Sequence, residues 1–498
     1  MSTSEREIRR LKWIFGTTYA VQGSSGLSDI PTLYFIKFIL ELGDAGGQLF
    51  QTLKSLGWLV KPLWGFISDR FPLFGYRRKS WFVLMAFLAL LFWTANALCA
   101  FLNVRIPLVY LVGFNLAFST YAFVDVVGDA LMVEHGRKLK RVGSFVNFQW
   151  TMLALSNAAV AIISGWFQAQ IEAGRFEYWM IFFLTGIPPL FTATVGLINI
   201  DEKPVSSASK QRRKKHSGRR QYHSISAFSR TLRSMPQLLR SFRNENEVMV
   251  LLVLFIIFWN LSPSIGYIER SYLIDVRDFT PVTFGIILTA QAVTFLISIL
   301  TYRFVVAHWP AIQWYHYLYG VVAIMVFLGF PLSFFLYLNP DHPWWNLFAP
   351  ILKFSWSVLP DWNRYEWFRL IFTVLFGFAT IPAFIIPLRL AGEAVKIESA
   401  GMSYAFLTSL TNATNLIEGL AGSALYWWFT QPGMLPVLNR FQNSWFDIAG
   451  VNDQRTLILQ IFVYISLLFT LLTIPFVYLL KRALERHHIE IGDLKDQS

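Results

Sequence analysis

Ionisable and amide side chains stranded inside long apolar runs are the residues of this chain best suited to chemistry. They are Gln22 and Asp29 in the first run, Lys61 just before Pro62 in the second, Asp125 and Asp129 in the fourth, Arg389 after Pro382 and Pro387 in the tenth, and Asn412, Asn415 and Glu418 in the eleventh. Placing a charge at the centre of a lipid-spanning helix costs at least ~2.5–3.5 kcal/mol, so each is a functional-site hypothesis. Asp125 and Asp129 stand four residues apart and share one helix face. A carboxylate kept from water suits the loading and release of a proton, a role open to Asp29, Asp129 and Glu418. Buried Arg and Lys can hold an anion. The structural alternative for each charge is an ion pair between helices, for example Asp29 or Asp125 with Lys61.

Motifs of other chemistries are missing. The chain has no GxxxxGK[ST] nucleotide loop, no HExxH and no GxSxG, which argues against ATP-driven pumping and intramembrane hydrolysis. His308, His316, His342 and the pair His487-His488 lack metal-ligand spacing, and Cys99, the single cysteine, admits no intramolecular disulfide. The chain does not read as an enzyme, and no cofactor or metal is expected.

The elements that must position these residues follow from composition. Of 498 residues, 55% are hydrophobic and only 15% charged, with 19 Trp, 19 Tyr and 47 Phe. A water-exposed surface carries roughly a quarter to a third charge, so most of this surface faces lipid. Apolar runs long enough to cross about 30 Å of hydrocarbon fall near 13–40, 47–69, 80–102, 106–134, 142–170, 177–199, 248–269, 282–307, 312–338, 367–391, 399–430 and 455–480. The expectation is an all-α integral membrane protein of about twelve spans: a six-helix bundle over 1–200, a basic linker over 201–247, a second six-helix bundle over 248–484 and a tail over 485–498. The start MSTSEREIRRLKW runs straight into an apolar stretch too long for a signal-peptide core, so the first helix is expected to be the membrane-targeting element.

Lys and Arg concentrate in every second connection, at Arg6, Arg9, Arg10 and Lys12, at Arg70, Arg77, Arg78 and Lys79, and at Arg137, Lys138, Lys140 and Arg141, returning at Lys481, Arg482 and Arg486. That bias puts both termini on the cytoplasmic side. The formal charge of +13 is explained by these clusters and by SSASKQRRKKHSGRRQYHS in the linker, a tether for anionic headgroups rather than a nucleic-acid surface. Between Asn339 and Glu366, Trp344, Trp345, Trp356 and Trp362 read as an interfacial segment resting on the membrane, with a gating lid as the alternative. One internal echo fits paired halves: Gly143 precedes Asn157 by the interval at which Gly401 precedes Asn415.

The loop after the second run holds Gly65, read as a glycine for close helix approach, then Asp69-Arg70, then Gly75, Arg77 and Arg78. It resembles the signature loop of the major facilitator superfamily, and the longer string KPLWGFISDRFPLFGYRRKSW resembles the hallmark of the folate-biopterin transporter family, as does DVVGDALMVE in the fourth run. The resemblance implies a major facilitator fold and transport of folates or pterins by proton symport, in bacteria, plastids and protozoa. It implies that Asp69, Arg70, Arg77 and Arg78 gate the inner side, with Glu134 and Arg141 as partners in that network. For a folate it points to Asp125 at the pterin edge, Arg389 and Lys61 at the anionic tail, and Gln22, Asn412 and Asn415 as neutral support. PLRLAGEAVKIESAGMSYAFL stands where the family has a Cys-Pro-Pro-Gly type turn, which keeps another organic anion or S-adenosylmethionine as the alternative cargo and a non-transporting receptor or scaffold as the alternative class. The expected place is a bacterial inner membrane, ahead of a plastid envelope.

Overall fold

The computed structural model describes residues 3–139, 141–204, 247–308, 313–350, 362–394, 400–442 and 454–486. Among the described residues the regular structure is helical, apart from a single bridge between Leu73 and Tyr76. Seven helical stretches among the described residues are long and apolar enough to span a membrane: Lys79–Phe101, Pro107–Gly136, Ser144–Glu172, Tyr178–Asn199, Pro281–Ser298, Trp314–Phe335 and Gln454–Arg486. The chain is a multi-pass membrane protein.

Three of the remaining apolar runs are helical but interrupted. The first proceeds as Thr3–Ser24, a 3-10 turn Ser25–Ser28, Asp29–Tyr34 and a π-helical turn Phe35–Ile39. The second breaks into Asp44–Leu53, Leu56–Leu59 and Lys61–Arg70. The run expected at 248–269 is instead Glu247–Asn260 and Gly266–Arg277, parted at Ser262-Pro263 because proline disfavours helix in the residue before it. The tenth and eleventh runs are the helices Arg364–Ala394 and Ala400–Phe429. Broken backbone at membrane depth is tolerated only where protein or a wet cavity satisfies the freed polar groups, and these three breaks adjoin one cavity.

The apolar packing differs between the two ends of the bundle. At the end holding Ile30, Phe50, Trp93 and Phe114, one core continues into Tyr272, Leu336 and Phe462, so helices before residue 204 and after residue 247 share it. At the basic end there are two cores, one around Phe15, Phe82 and Phe145 and another around Leu252, Phe255 and Leu480. Near the shared end the helix Val142–Glu172 crosses Pro281–His308 through Gly165 and Gly285. A Cβ on Gly165 would collide with the Pro281 carbonyl and with Gly285 itself.

The described part of the tryptophan-rich connection packs against the bundle through Trp345, while Trp344 and Leu347 stay exposed. Trp345, in the 3-10 helix Pro343–Phe348, is buried edge-on against Phe335, Tyr365 and Phe368. Trp356 lies outside the described residues, as does most of the 201–247 linker. The two acids that open that segment are fixed: Asp201 pairs with Arg10 at 3.4 Å, and Glu202 takes the backbone N–H groups of Arg77, Arg78 and Lys79 at 2.8–2.9 Å, where the helix Lys79–Phe101 begins.

Candidate functional site

The breaks in the first, second and seventh runs open onto a cavity of about 410 Å³. Asp29 and Leu33 line it from the first run and Gln51, Lys54 and Trp58 from the second; Ser264 and Arg270 come from the seventh, and Asn412 and Asn415 from the eleventh. Its wall therefore comes from both halves of the chain. The charged lining is Asp29 between two cations: Lys54 Nζ lies 3.8 Å and the Arg270 guanidinium 3.2 Å from its carboxylate. One negative charge faces two positive ones, and the surplus cation is what a carboxylate or phosphate solute needs. Gln48 spends its side-chain oxygen on the backbone N–H of Tyr267 at 2.9 Å, and Asn412 donates to the Trp58 carbonyl at 3.2 Å.

Lys54 and Arg270 were not singled out from the sequence. The signal was the one used for their neighbours, a charge within an apolar run: Lys54 sits in LFQTLKSLGWLV, seven residues before Lys61, and Arg270 just past the Ser-Pro break.

Among the other expected site residues, Asp125 and Lys61 pair with one another at 2.6 Å, with Asp125 only 2% exposed and Lys61 Nζ 4.7 Å above the Trp58 ring. Neither lines the cavity. Asp129, one turn further on, accepts a hydrogen bond from Tyr19 at 2.9 Å. Gln22 borders a separate small space with Thr18 and Tyr121, and its side-chain oxygen is buried with no partner among the described residues. Glu418 is half-buried on Ala400–Phe429, and its backbone carbonyl takes the Ser264 N–H at 2.9 Å, stitching the eleventh run to the break in the seventh. Arg389 is on the helix Arg364–Ala394, and its side chain lies outside the described residues.

In the basic loop the ion pairs are specific, and two placements differ from those expected. Arg78 binds Asp69 at 2.7 Å and Glu134 at 3.0 Å and also donates to Ser68, while Arg77 donates to the Asp69 carbonyl. Gly75 stands at φ +85°, the left-handed region where a side chain strains the backbone. Arg70 lies over the Phe66 ring at 5.5 Å. The first correction is Arg141, expected beside Glu134: Arg78 pairs with that carboxylate, and Arg141 is exposed at the N-cap of the helix Val142–Glu172. The second is Gly65, where an added Cβ would meet Val126 at an ordinary 3.5 Å, so close packing does not require glycine there.

A second charged assembly lies at the opposite end, about 8–15 Å along the same helices from Asp29, Lys54 and Arg270 at 1.5 Å per residue. Lys37 pairs with Asp275 at 2.7 Å; Arg455 reaches Asp275 at 2.7 Å and Asp44 at 2.9 Å. Ser271 donates to Asp44 and accepts from both Lys37 and Arg455, and Tyr426 donates to Asp44 at 2.8 Å. Lys37 and Asp44 belong to the first half of the chain, the others to the second. Burial alone would raise the Asp275 carboxyl, near the C-terminal end of the helix Gly266–Arg277. The hydrogen bonds and charges of Lys37 and Arg455 outweigh that and hold it below the usual 3.8.

Comparison with known proteins places this geometry in context. The family model described as the BT1 family matches residues 22–345. The chain is 25% identical over 474 residues to the folate-biopterin transporter of Synechocystis sp., covering 93% of this chain and 80% of that one. Among solved structures, the POT family transporter PepTSo superposes with a TM-score of 0.62 at 12% identity, covering 95% of this chain and 98% of that one. The xylose transporter XylE from E. coli, in an inward open conformation, gives 0.54 at 12% identity, covering 93% and 94%. These likenesses show the major facilitator fold.

Proposed function

The chain belongs to the BT1 family, and from that premise we propose that it is a secondary transporter, not an enzyme, carrying folates or related pterins in symport with protons by alternating access. The observation that carries this reading is the cavity whose charged wall sets two cations against one carboxylate. A folate is flat and hydrogen-bonding at its pterin end and anionic at its glutamate end. Its tail carboxylates take Lys54 and Arg270, competing with Asp29 for them. Asn412 and Asn415 give hydrogen bonds, and Trp58 offers a flat apolar face. The surplus positive charge disfavours the sulfonium cation of S-adenosylmethionine.

Asp129 and Glu418, which make no ion pair among the described residues, are the proton-carrying carboxylates, with the Asp125–Lys61 pair beside Asp129 sensing its charge. Arg389 and Gln22 are contacts for the tail and the ring from the tenth and first helices. Residues 1–200 and 248–484 are the rocking units and 201–247 joins them, its basic run against anionic headgroups. The basic end faces the cytoplasm of a bacterial cell from its inner membrane.

The test is uptake of radiolabelled folic acid into proteoliposomes, with and without an inward proton gradient. Wild type is expected to show gradient-stimulated uptake. Arg270→Gln and Lys54→Gln should raise KM at least about tenfold, the worth of one charge-assisted contact, and Arg389→Ala should do so less. No uptake by folded wild type rejects folate as cargo, and uptake indifferent to the gradient rejects proton symport.

A further inference from the structure

On the outside of the first half, away from the central cavity, a groove of about 820 Å³ runs between the first helix and the starts and ends of two neighbours. Its floor is apolar, with Gly16, Ala20, Met152 and Phe191 along it, and Phe191 and Trp13 are 64% and 58% exposed. Its rim at the basic end carries Arg9, Lys12 and Arg141 against the single carboxylate of Glu5. None of the three cations joins an ion pair among the described residues; Lys12 Nζ lies 5.8 Å above the Phe148 ring. Arg141 was expected to serve the gating loop, and its actual position on this rim is otherwise unexplained.

The dimensions fit one class of ligand. From Ile8 to Ala20 the first helix rises about 18 Å, roughly one leaflet of a hydrocarbon core about 30 Å thick. Cations therefore stand at headgroup depth above a trough that reaches toward the bilayer centre. Gly16 is buried beneath the Phe148 ring, so the room for an acyl chain lies at the small, part-exposed Ala20 and alongside Met152 and Phe191, and an exposed tryptophan beside basic residues is the usual furniture of the interface. We propose that this groove binds an anionic glycerophospholipid of the leaflet at the basic end, its phosphate held by Arg9, Lys12 and Arg141 and one acyl chain lying along Ala20, Met152 and Phe191. The proposal is independent of the cargo and of proton coupling. The site is distinct from the linker tether, since its residues lie on the helices or, for Arg141, at the N-cap of one.

The experiment is native mass spectrometry of the full-length detergent-solubilised protein titrated with phosphatidylglycerol, with phosphatidylcholine of the same acyl chains and with glycerol 3-phosphate alone. Wild type should retain phosphatidylglycerol at concentrations where phosphatidylcholine is lost and should not retain glycerol 3-phosphate. Removing cations in Arg9→Gln/Lys12→Gln and in Arg141→Gln should weaken retention about fivefold per charge, while Arg9→Lys/Lys12→Arg keeps it. Ala20→Trp, which fills the trough, should weaken both lipids and leave the charge preference intact. Unchanged phosphatidylglycerol retention in the triple glutamine variant overturns the proposal. Equal binding of the two lipids by wild type does so too, and retention of glycerol 3-phosphate alone would make this a phosphate site and not a lipid one.

Discussion

At the end remote from the basic loop, which is the outer end in the proposed orientation, Lys37 and Asp44 from the first half of the chain meet Asp275, Arg455 and Tyr426 from the second, over an apolar core that both halves build. At the basic end the ion pairs stay at home: Arg78 with Asp69 and Glu134, Arg10 with Asp201, Arg486 with Glu247, each within one half and above its own core. The difference teaches which contacts must change if the halves rock. Opening the outer end breaks part-buried charge pairs that join the two halves, whereas opening the basic end disturbs none of the pairs just named. In this state the outer end is the locked one, and the cavity below it, with Asp29, Lys54 and Arg270, is roofed by that lock.

The largest effect should come from Arg455→Ala, which strips a part-buried cation from two carboxylates, one of them exposed; the loss stays below the ~3–5 kcal/mol of a fully buried pair. With Cys99→Ser as background and Ser55→Cys as a reporter in the cavity wall, labelling by a membrane-impermeant thiol reagent from the outer side should rise at least tenfold. Unchanged labelling would mean that the apolar core, not the charges, closes this end. The reciprocal exchange Asp44→Arg/Arg455→Asp should restore part of the closure.

Arg78→Ala should do the opposite kind of damage. It removes one cation from Asp69 and Glu134, both about half exposed, so Tm should fall by about 2–4 °C per kcal/mol lost, with outer labelling unmoved. Increased outer labelling would erase the distinction between the ends.

The pH dependence is smaller and sharper. Asp275 is held below its ordinary value, so it contributes stability that is present above the unfolded carboxylate pKa near 3.8 and is lost as pH falls through the lower folded value. Outer labelling should therefore be flat from pH 8 to pH 5 and increase only below about pH 4. A rise between pH 7 and 5 would show that a different titrating group controls this lock. Smallest of all, Gly75→Ala, at φ +85°, should cost about 1–2 kcal/mol of backbone strain in the basic loop and read out in Tm alone.

Much of the site was legible because lipid makes polarity conspicuous. Asp29, Asn412 and Asn415 stood out as polar groups in apolar runs, and all three line the cavity. The Asp69, Arg78 and Glu134 association followed from a loop whose residues are close in sequence or at adjoining helix ends. Asp125 and Lys61 were named as a possible pair and are one. Lys54 and Arg270 carry the same signal, a charge in or beside an apolar run, but nothing in the sequence ranks them above the other charges.

The resemblance of the basic loop pointed to the major facilitator fold, and the amino-acid sequence alone determined a helical membrane protein, where its long apolar runs fall and which connections are basic. Those properties depend on local composition: apolar length and the connections in which Lys and Arg collect. Only the tertiary structure decided that Asp29 meets Arg270, 241 residues away, and that Lys37 and Asp44 meet Asp275 and Arg455 across the outer end. Which charge finds which depends on the rotation and depth of each helix, and helices apolar on nearly every face carry little periodic signal to set either.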